Sequence, residues 1–290
     1  MRAFKTRHIE GCYNTIDMLP ILISIGPFVL RTLTLMSFLA FFVAAFLFWR
    51  KCKEEHYDEA EIFDGFLVSS LVGALGARIA FIIFNFNDFG FNVGKWLNVF
   101  SNPGFNIIVG LIVAGLAIYR FAQKHKWDVF EITDFWVTAV SSGLAILWLG
   151  IFFDGTGFGY ATKLPWGIIF PGVFEKHQPV QIYFFILFAA LAAFLSWAEY
   201  NYRTFIWYRA GKNTAQTGFL TSVFIACAGL FSLVMAFVRP AQLVLVGIPL
   251  DIPLYVFLLV FGVILLIHRS GRSILPGGNR KTGVAKNVSF

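Results

Sequence analysis

Two arginines stand where arginine is costly. Arg78 lies inside the apolar stretch GARIAF, and Arg239 follows MAFV at the end of another. A charged side chain within a bilayer costs about 3 kcal/mol by the smaller estimates, so a residue there is a functional candidate by default. A guanidinium carries a fixed positive charge and five donors, which suits it to holding an anion. Each arginine also has a structural reading. Arg78 can pair with helix-end carbonyls, and Arg239 can reach up to the headgroup layer with its stem in the apolar region. Asp154 and His177 are the candidate proton acceptors, although a lone histidine in a polar loop is commonly just solvated. The three cysteines, Cys12, Cys52 and Cys227, are dispersed. They have no metal-ligand spacing and no disulfide framework. No metal or other cofactor is expected.

The elements that position these residues follow from composition. The chain has 290 residues, of which 58% are hydrophobic, 13% are charged and 36 are Phe, and its mean hydropathy is +0.73. A soluble domain carries about 25% charged residues, so this chain has too few to cover a water-facing surface. The fold class is all-α, a polytopic membrane protein. The formal charge of +7 reflects basic loops rather than nucleic-acid binding, which is not expected.

A span needs about 20 apolar residues. The candidates are roughly 33–49, 66–84, 104–121, 130–153, 180–198, 217–238 and 252–268, seven in all. The segment 19–31 is apolar but interrupted by Gly26 and Pro27, which reads as a re-entrant or interfacial piece. Basic residues cluster after the first, third, fifth and seventh spans, whereas the loops 87–103, 154–179 and 239–251 hold only Lys95, Lys163, Lys176 and Arg239. The positive-inside rule then puts the N-terminus outside and the C-terminus in the cytoplasm, with Arg2, Lys5 and Arg7 as the exceptions. The N-terminal residues are too polar for a cleavable signal. The expected organisation is a polar segment 1–18, a membrane domain 19–268 and a basic cytoplasmic tail 269–290. The stretch ATKLPWGIIFPG (161–172) falls in an outward loop, where Pro and Gly end helices and Trp166 suits the headgroup layer.

Six pieces, in order and at family spacing, resemble the prolipoprotein diacylglyceryl transferase family of bacterial inner membranes. They are PILISIGPFVLRTLTLM (20–36), GALGARIAFIIFN (73–85), GFNIIVGLIVAG (104–115), DGTGFGYATKLPWGIIFPG (154–172), QPVQIYFF (178–185) and GLFSLVMAFVRP (229–240). The resemblance covers most of residues 20–268. It implies transfer of a diacylglyceryl group from phosphatidylglycerol to the lipobox cysteine thiol of a preprolipoprotein, with glycerol 1-phosphate leaving. No metal or nucleotide is used, and the nucleophilic thiol belongs to the substrate. By this resemblance Arg78 and Arg239 contact lipid phosphate. They are expected close together on the outer half of the bundle, facing an apolar cavity. Gly159, Trp166, Gln181 and Tyr183 are implied to line the lipid site.

The chain departs from the family where the chemistry is done. Asn106 stands at the family's histidine. The signature G-R-x-G-N-F-x-N-G-E reads LWLGIFFDGT (147–156), so Trp148 replaces the essential arginine. Ile151 and Asp154 replace the two asparagines, and Thr156 replaces the glutamate. Leu33 stands for a tyrosine, Ser232 and Ala236 for an arginine and a glutamate, and Phe184 for a glutamate. The residues kept are mostly Gly, Pro and aromatic, which shape backbone and boundary. Two readings follow. One is a divergent transferase, weak or active, using Arg78, Arg239 and Asp154 or His177. The other is a catalytically inert homologue, a pseudoenzyme, that binds phospholipid or a partner membrane protein. A secondary transporter is the weaker third class, because no inverted repeat is visible and the spans are poor in Asp and Glu.

Overall fold

The computed structural model describes residues 20–25, 28–99, 102–202, 216–245 and 247–270. The segment 1–18, the basic stretch 203–215 and nearly all of the tail 269–290 lie outside the described residues, as does Cys12. The chain opens with an antiparallel hairpin, β1 (Ile21–Ile25) and β2 (Phe28–Arg31). The interrupted segment is therefore a hairpin rather than a span, and its backbone groups satisfy one another.

Helices follow. They are α1 (Thr32–Glu54), α2 (Glu59–Phe84), the short α3 (Phe86–Phe89) and α4 (Val93–Leu97), α5 (Ile107–Lys124) and α6 (Val129–Asp154). After two short strands, β3 (Ile168–Ile169) and β4 (Lys176–His177), come α7 (Val180–Tyr202) and α8 (Phe219–Met235). The last elements are β5 (Val244–Leu245), β6 (Ile248–Pro249) and α9 (Asp251–Arg269). Among the described residues, α1, α2, α5, α6, α7 and α9 are long and apolar enough to cross a membrane. α8 is apolar but only 17 residues long. At 1.5 Å per residue it reaches about 26 Å, a little short of the hydrocarbon core. The expected span 217–238 is thus completed by a turn that carries Arg239.

Caps set boundaries that the apolar runs do not. Asp58 accepts hydrogen bonds from the Ala60 and Glu61 amides at 3.0 and 3.1 Å, and α2 begins seven residues before its apolar run. Asp128 starts α6 in the same way, and Gly155, at φ 74°, ends it in the left-handed conformation. Such N-caps are each worth about 1 kcal/mol.

α6 is the central post. Two thirds of its apolar window (67%) is buried, against 17% for α9, so α9 stands at the rim. Helix pairs close on small residues, as expected where lipid removes the hydrophobic drive. Gly143 lies against Ala40, Gly73 against Ala114, and Gly262 against Ala226. A Cβ on Gly262 would sit 2.5 Å from the Ala226 backbone nitrogen, so only glycine lets α8 and α9 approach this closely. Asp134, the acid inside a span, has a structural partner. Its carboxylate accepts the Gly218 amide at 2.8 Å and the Thr221 amide and hydroxyl at 2.8 and 2.7 Å. It thus caps α8 from α6, where a negative charge also meets the positive helix end.

Among the described residues six helices are long enough to cross and α8 is a shorter seventh; if all seven cross, the start of α1 and the end of α9 face opposite sides. With the basic loops counted, we predict that a reporter fused after residue 270 reports the cytoplasm. A periplasmic signal at that position would overturn the orientation.

Candidate functional site

Antiparallel packing gathers one end of every long helix on a single face. The start of α1, the end of α2, the start of α5, the end of α6, the start of α7, the turn after α8 and the start of α9 all lie there. This is where nearly all the chemistry-bearing residues of the sequence fall.

Arg239 is the best-built of them. It is 3% exposed, and its Nη2 donates to the Tyr255 hydroxyl at 3.1 Å. Tyr255, fully buried, donates in turn to Asp251 Oδ1 at 2.9 Å. Asp251 Oδ2 accepts the Gln242 and Leu243 amides, both at 3.0 Å. The guanidinium also lies over the Phe184 ring, 4.9 Å from its centre. A buried charge is tolerable when its donors are met and an opposite charge is near, and α9 supplies both through one phenol. Arg239 and Asp251 border a cavity of about 200 Å³ with Tyr160, Pro240 and Pro249. The snorkelling reading does not describe this side chain, which is enclosed.

The replaced family positions have become structural. Trp148 and Phe184 stack at 4.2 Å with ring planes 11° apart, and Phe231 meets Phe184 edge-on at 5.2 Å. An arginine and a glutamate were expected at positions 148 and 184. Two aromatic rings in contact fill that space instead. Asn106 caps α5, with its side chain accepting the Val109 amide at 3.0 Å and its own amide donating to Ala77. Leu33 packs at the start of α1 near Gly150, and Ile151 joins the apolar core. Thr156 donates its hydroxyl to Asp154 Oδ2 at 3.2 Å. Asp154 is half-buried at the end of α6.

The loop 155–179 is folded, which explains its Pro and Gly content. β3 and β4 pair, and Ala161 bridges to His177. His177 is committed here: its Nδ1 lies 2.9 Å from the Glu175 carbonyl, and its ring meets Phe158 edge-on. Trp166 Nε1 donates to the Tyr183 hydroxyl at 2.8 Å, and Tyr183 donates to Gln178 at 3.1 Å. Gln181 donates to the Thr156 carbonyl at 2.6 Å, while its Oε1 is buried and has no partner among the described residues. A Cβ on Gly159 would lie 2.6 Å from the Val238 carbonyl, so glycine lets the loop run beside the strand of backbone leading into Arg239. Gly159, Trp166, Gln181 and Tyr183 therefore lock the loop onto α7 and the end of α8.

Arg78 differs from expectation. Among the described residues its nitrogens donate to carbonyls: Nε to Trp96 at 3.1 Å, Nη1 to Asn102 and Gly104 at 2.8 and 3.0 Å, and Nη2 to Lys95 at 3.3 Å. Phe81, Phe89 and Phe105 surround it. It shares no partner with Arg239 and does not border the cavity beside it. The physical reason is that Lys95 and Trp96 lie in the last turn of the short α4, and Asn102 and Gly104 in the loop before α5, so their carbonyls have no following helical turn to satisfy them and take a guanidinium instead. Of the two readings of Arg78, carbonyl pairing is the one observed.

Sequence reasoning missed Asp251 and Tyr255. The signal was present. An acid opens the last apolar run, and a tyrosine follows four residues later on the same helical face. Asp251 lies one residue outside the expected span 252–268.

Among known proteins, the family model described as prolipoprotein diacylglyceryl transferase matches residues 20–268. The curated relatives include phosphatidylglycerol–prolipoprotein diacylglyceryl transferases. That of Clostridium tetani is 27% identical, over 69% of this chain and 77% of its own length. That of Coxiella burnetii is 28% identical over 78% and 83%, and that of Aliivibrio salmonicida 26% over 97% and 98%.

The Arg239–Tyr255–Asp251 chain makes a specific demand. Tyr255→Phe removes the bridge and leaves a buried guanidinium short of a partner, which costs about 1–3 kcal/mol. Asn106→Ala loses only a cap, about 1 kcal/mol. Thermal unfolding of the two variants in detergent is expected to rank them in that order; equal midpoints would contradict the bridging role.

Proposed function

This chain belongs to the prolipoprotein diacylglyceryl transferase family, is a multi-pass membrane protein, and we propose that it binds phospholipid at Arg239 while transferring diacylglyceryl groups weakly or not at all. Its setting is the bacterial inner membrane and lipoprotein maturation. The relatives are named for a phosphatidylglycerol donor and a prolipoprotein acceptor, and phosphatidylglycerol or another phospholipid, with a prolipoprotein acceptor, is the partner set proposed for this chain.

The reaction itself sets the requirements. The acceptor thiol loses a proton, its sulfur bonds to a glycerol carbon, the carbon–oxygen bond to phosphate breaks, and glycerol 1-phosphate departs. Thiolate is the nucleophile. Developing charge on the leaving phosphate calls for preorganised donors. Here Arg239 borders a cavity on the face that also carries Asp154, and Arg78 is occupied by carbonyls. Asp154 is the acceptor available for the thiol proton, and its carboxylate also receives the Thr156 hydroxyl.

The observation that carries the reading is the Trp148–Phe184 stack. It puts apolar rings where the family resemblance expects a guanidinium and a carboxylate. The guanidinium replaced by Trp148 and the amide replaced by Ile151 are donors, and each lost donor of this kind costs about 3 kcal/mol of transition-state stabilisation. Two such losses, if additive, remove roughly four decades of rate. A second reading, a partner membrane protein held by an inert homologue, is consistent with the lipid-facing aromatic surface but has no residue-level observation of its own.

The test uses purified protein, labelled phosphatidylglycerol and a lipobox peptide. We expect transfer to be at or near background. Trp148→Arg alone is expected not to restore it, because the new guanidinium would share the Phe184 ring with Arg239 and have no carboxylate beside it. Trp148→Arg with Phe184→Glu supplies an opposite charge next to the new guanidinium and is the combination in which partial recovery is expected. Robust transfer by the unmodified protein, abolished by Arg239→Ala, would overturn the proposal.

A further inference from the structure

The cavity beside Arg239 has a property that the transfer reaction does not require. Its wall carries one positive and one negative side chain, Arg239 and Asp251, both nearly buried. The two are not in direct contact. Tyr255 stands between them, accepting from the guanidinium and donating to the carboxylate. The phenol holds the charges apart, so each keeps bonding capacity for a third party. Nη2 is the guanidinium nitrogen of Arg239 that bonds to protein among the described residues. Asp251 accepts three hydrogen bonds, and a carboxylate has about four acceptor sites. The rest of the wall is neutral: Tyr160, Ala236, Pro240 and Pro249. At about 200 Å³ the space lies below the range of roughly 300–1,000 Å³ common for whole small-molecule ligands. It suits a lipid headgroup whose acyl chains stay outside.

A phosphoglycerol headgroup fits this wall less well. Its phosphate would meet Arg239, but its glycerol hydroxyls would reach Asp251 only as neutral donors and leave the buried carboxylate without a counter-charge. A headgroup with a phosphate and a primary ammonium fits both ends. The phosphate pairs with the guanidinium, and the ammonium donates to the carboxylate. We propose that this site selects a zwitterionic aminophospholipid headgroup, phosphoethanolamine in chemical class, over the anionic phosphoglycerol headgroup. The proposal rests on the reading that phospholipid binds at Arg239, and changes which one. It also bears on the weak transfer expected above, since the bound lipid would differ from the relatives' named donor.

The experiment purifies the full-length protein from detergent micelles loaded with equimolar phosphatidylethanolamine and phosphatidylglycerol, and quantifies the lipid retained. The unmodified protein is expected to retain phosphatidylethanolamine in excess, on the order of tenfold, as one good buried ion pair would give. Asp251→Asn, which keeps an oxygen for the Gln242 and Leu243 amides, should lose that excess and shift towards phosphatidylglycerol. Should this variant unfold, Ala236→Lys adds a positive charge to the same wall while leaving the bonds of Asp251 intact, and is expected to shift the ratio the same way. Equal retention or an excess of phosphatidylglycerol by the unmodified protein overturns this selectivity and leaves phospholipid binding standing. Retention of neither lipid overturns the binding reading, and the selectivity with it.

Discussion

Arg239 is a fixed positive charge held almost out of solvent, and the face of the bundle around it is built to make that tolerable. An isolated buried charge would cost many kcal/mol. Phe184 offers a ring face to the guanidinium, Tyr255 an oxygen, and Asp251 the counter-charge one bond further on. The three contributors come from two places in the chain: Phe184 from α7, and Asp251 and Tyr255 from the start of α9. The requirement to assemble them ties the end of α8 to α9 on one side and to α7 on the other. The loop 155–179 then follows, because the Tyr160 amide donates to the Val238 carbonyl at 2.9 Å, one residue before Arg239.

The same face shows how a family site can change character without losing its fold. Trp148 and Phe184 are replacements that fit each other. Removing one member of a buried ion pair is strongly destabilising, whereas exchanging both for well-packed apolar groups is often neutral or favourable. A stacked aromatic pair adds roughly 0.5–1.5 kcal/mol beyond area burial. Two aromatic rings that pack on one another at 148 and 184 satisfy that space without any buried charge, and that is the arrangement observed. Asn106 tells a parallel story: a position expected to be histidine now caps a helix, a role that an asparagine side chain performs well.

Much of the fold was legible in the sequence, because apolar runs of membrane length have few alternatives. The runs 33–49, 130–153 and 252–268 became α1, α6 and α9 with ends shifted by a few residues. The ends moved where caps such as Asp58 extend a helix into polar sequence. The hairpin of β1 and β2 was legible only as an interruption, since strand pairing depends on register that composition does not carry. At the site, Arg239 was legible and Arg78 was ambiguous. Whether an arginine meets a ligand or backbone carbonyls is decided by the course of segment 85–106, which has no periodic signal. Asp251 and Tyr255 were missed because their partner lies across a turn, twelve and sixteen residues back in the chain.

The central proposal is that this chain keeps the family's architecture around one enclosed arginine at a cavity and transfers diacylglyceryl groups weakly or not at all. Complementation of a conditional transferase-depleted bacterial strain tests it most directly. The account predicts that the unmodified chain, expressed and inserted in the membrane, fails to restore growth. Restoration of growth that depends on Arg239 would contradict it and identify a working enzyme with a rebuilt site.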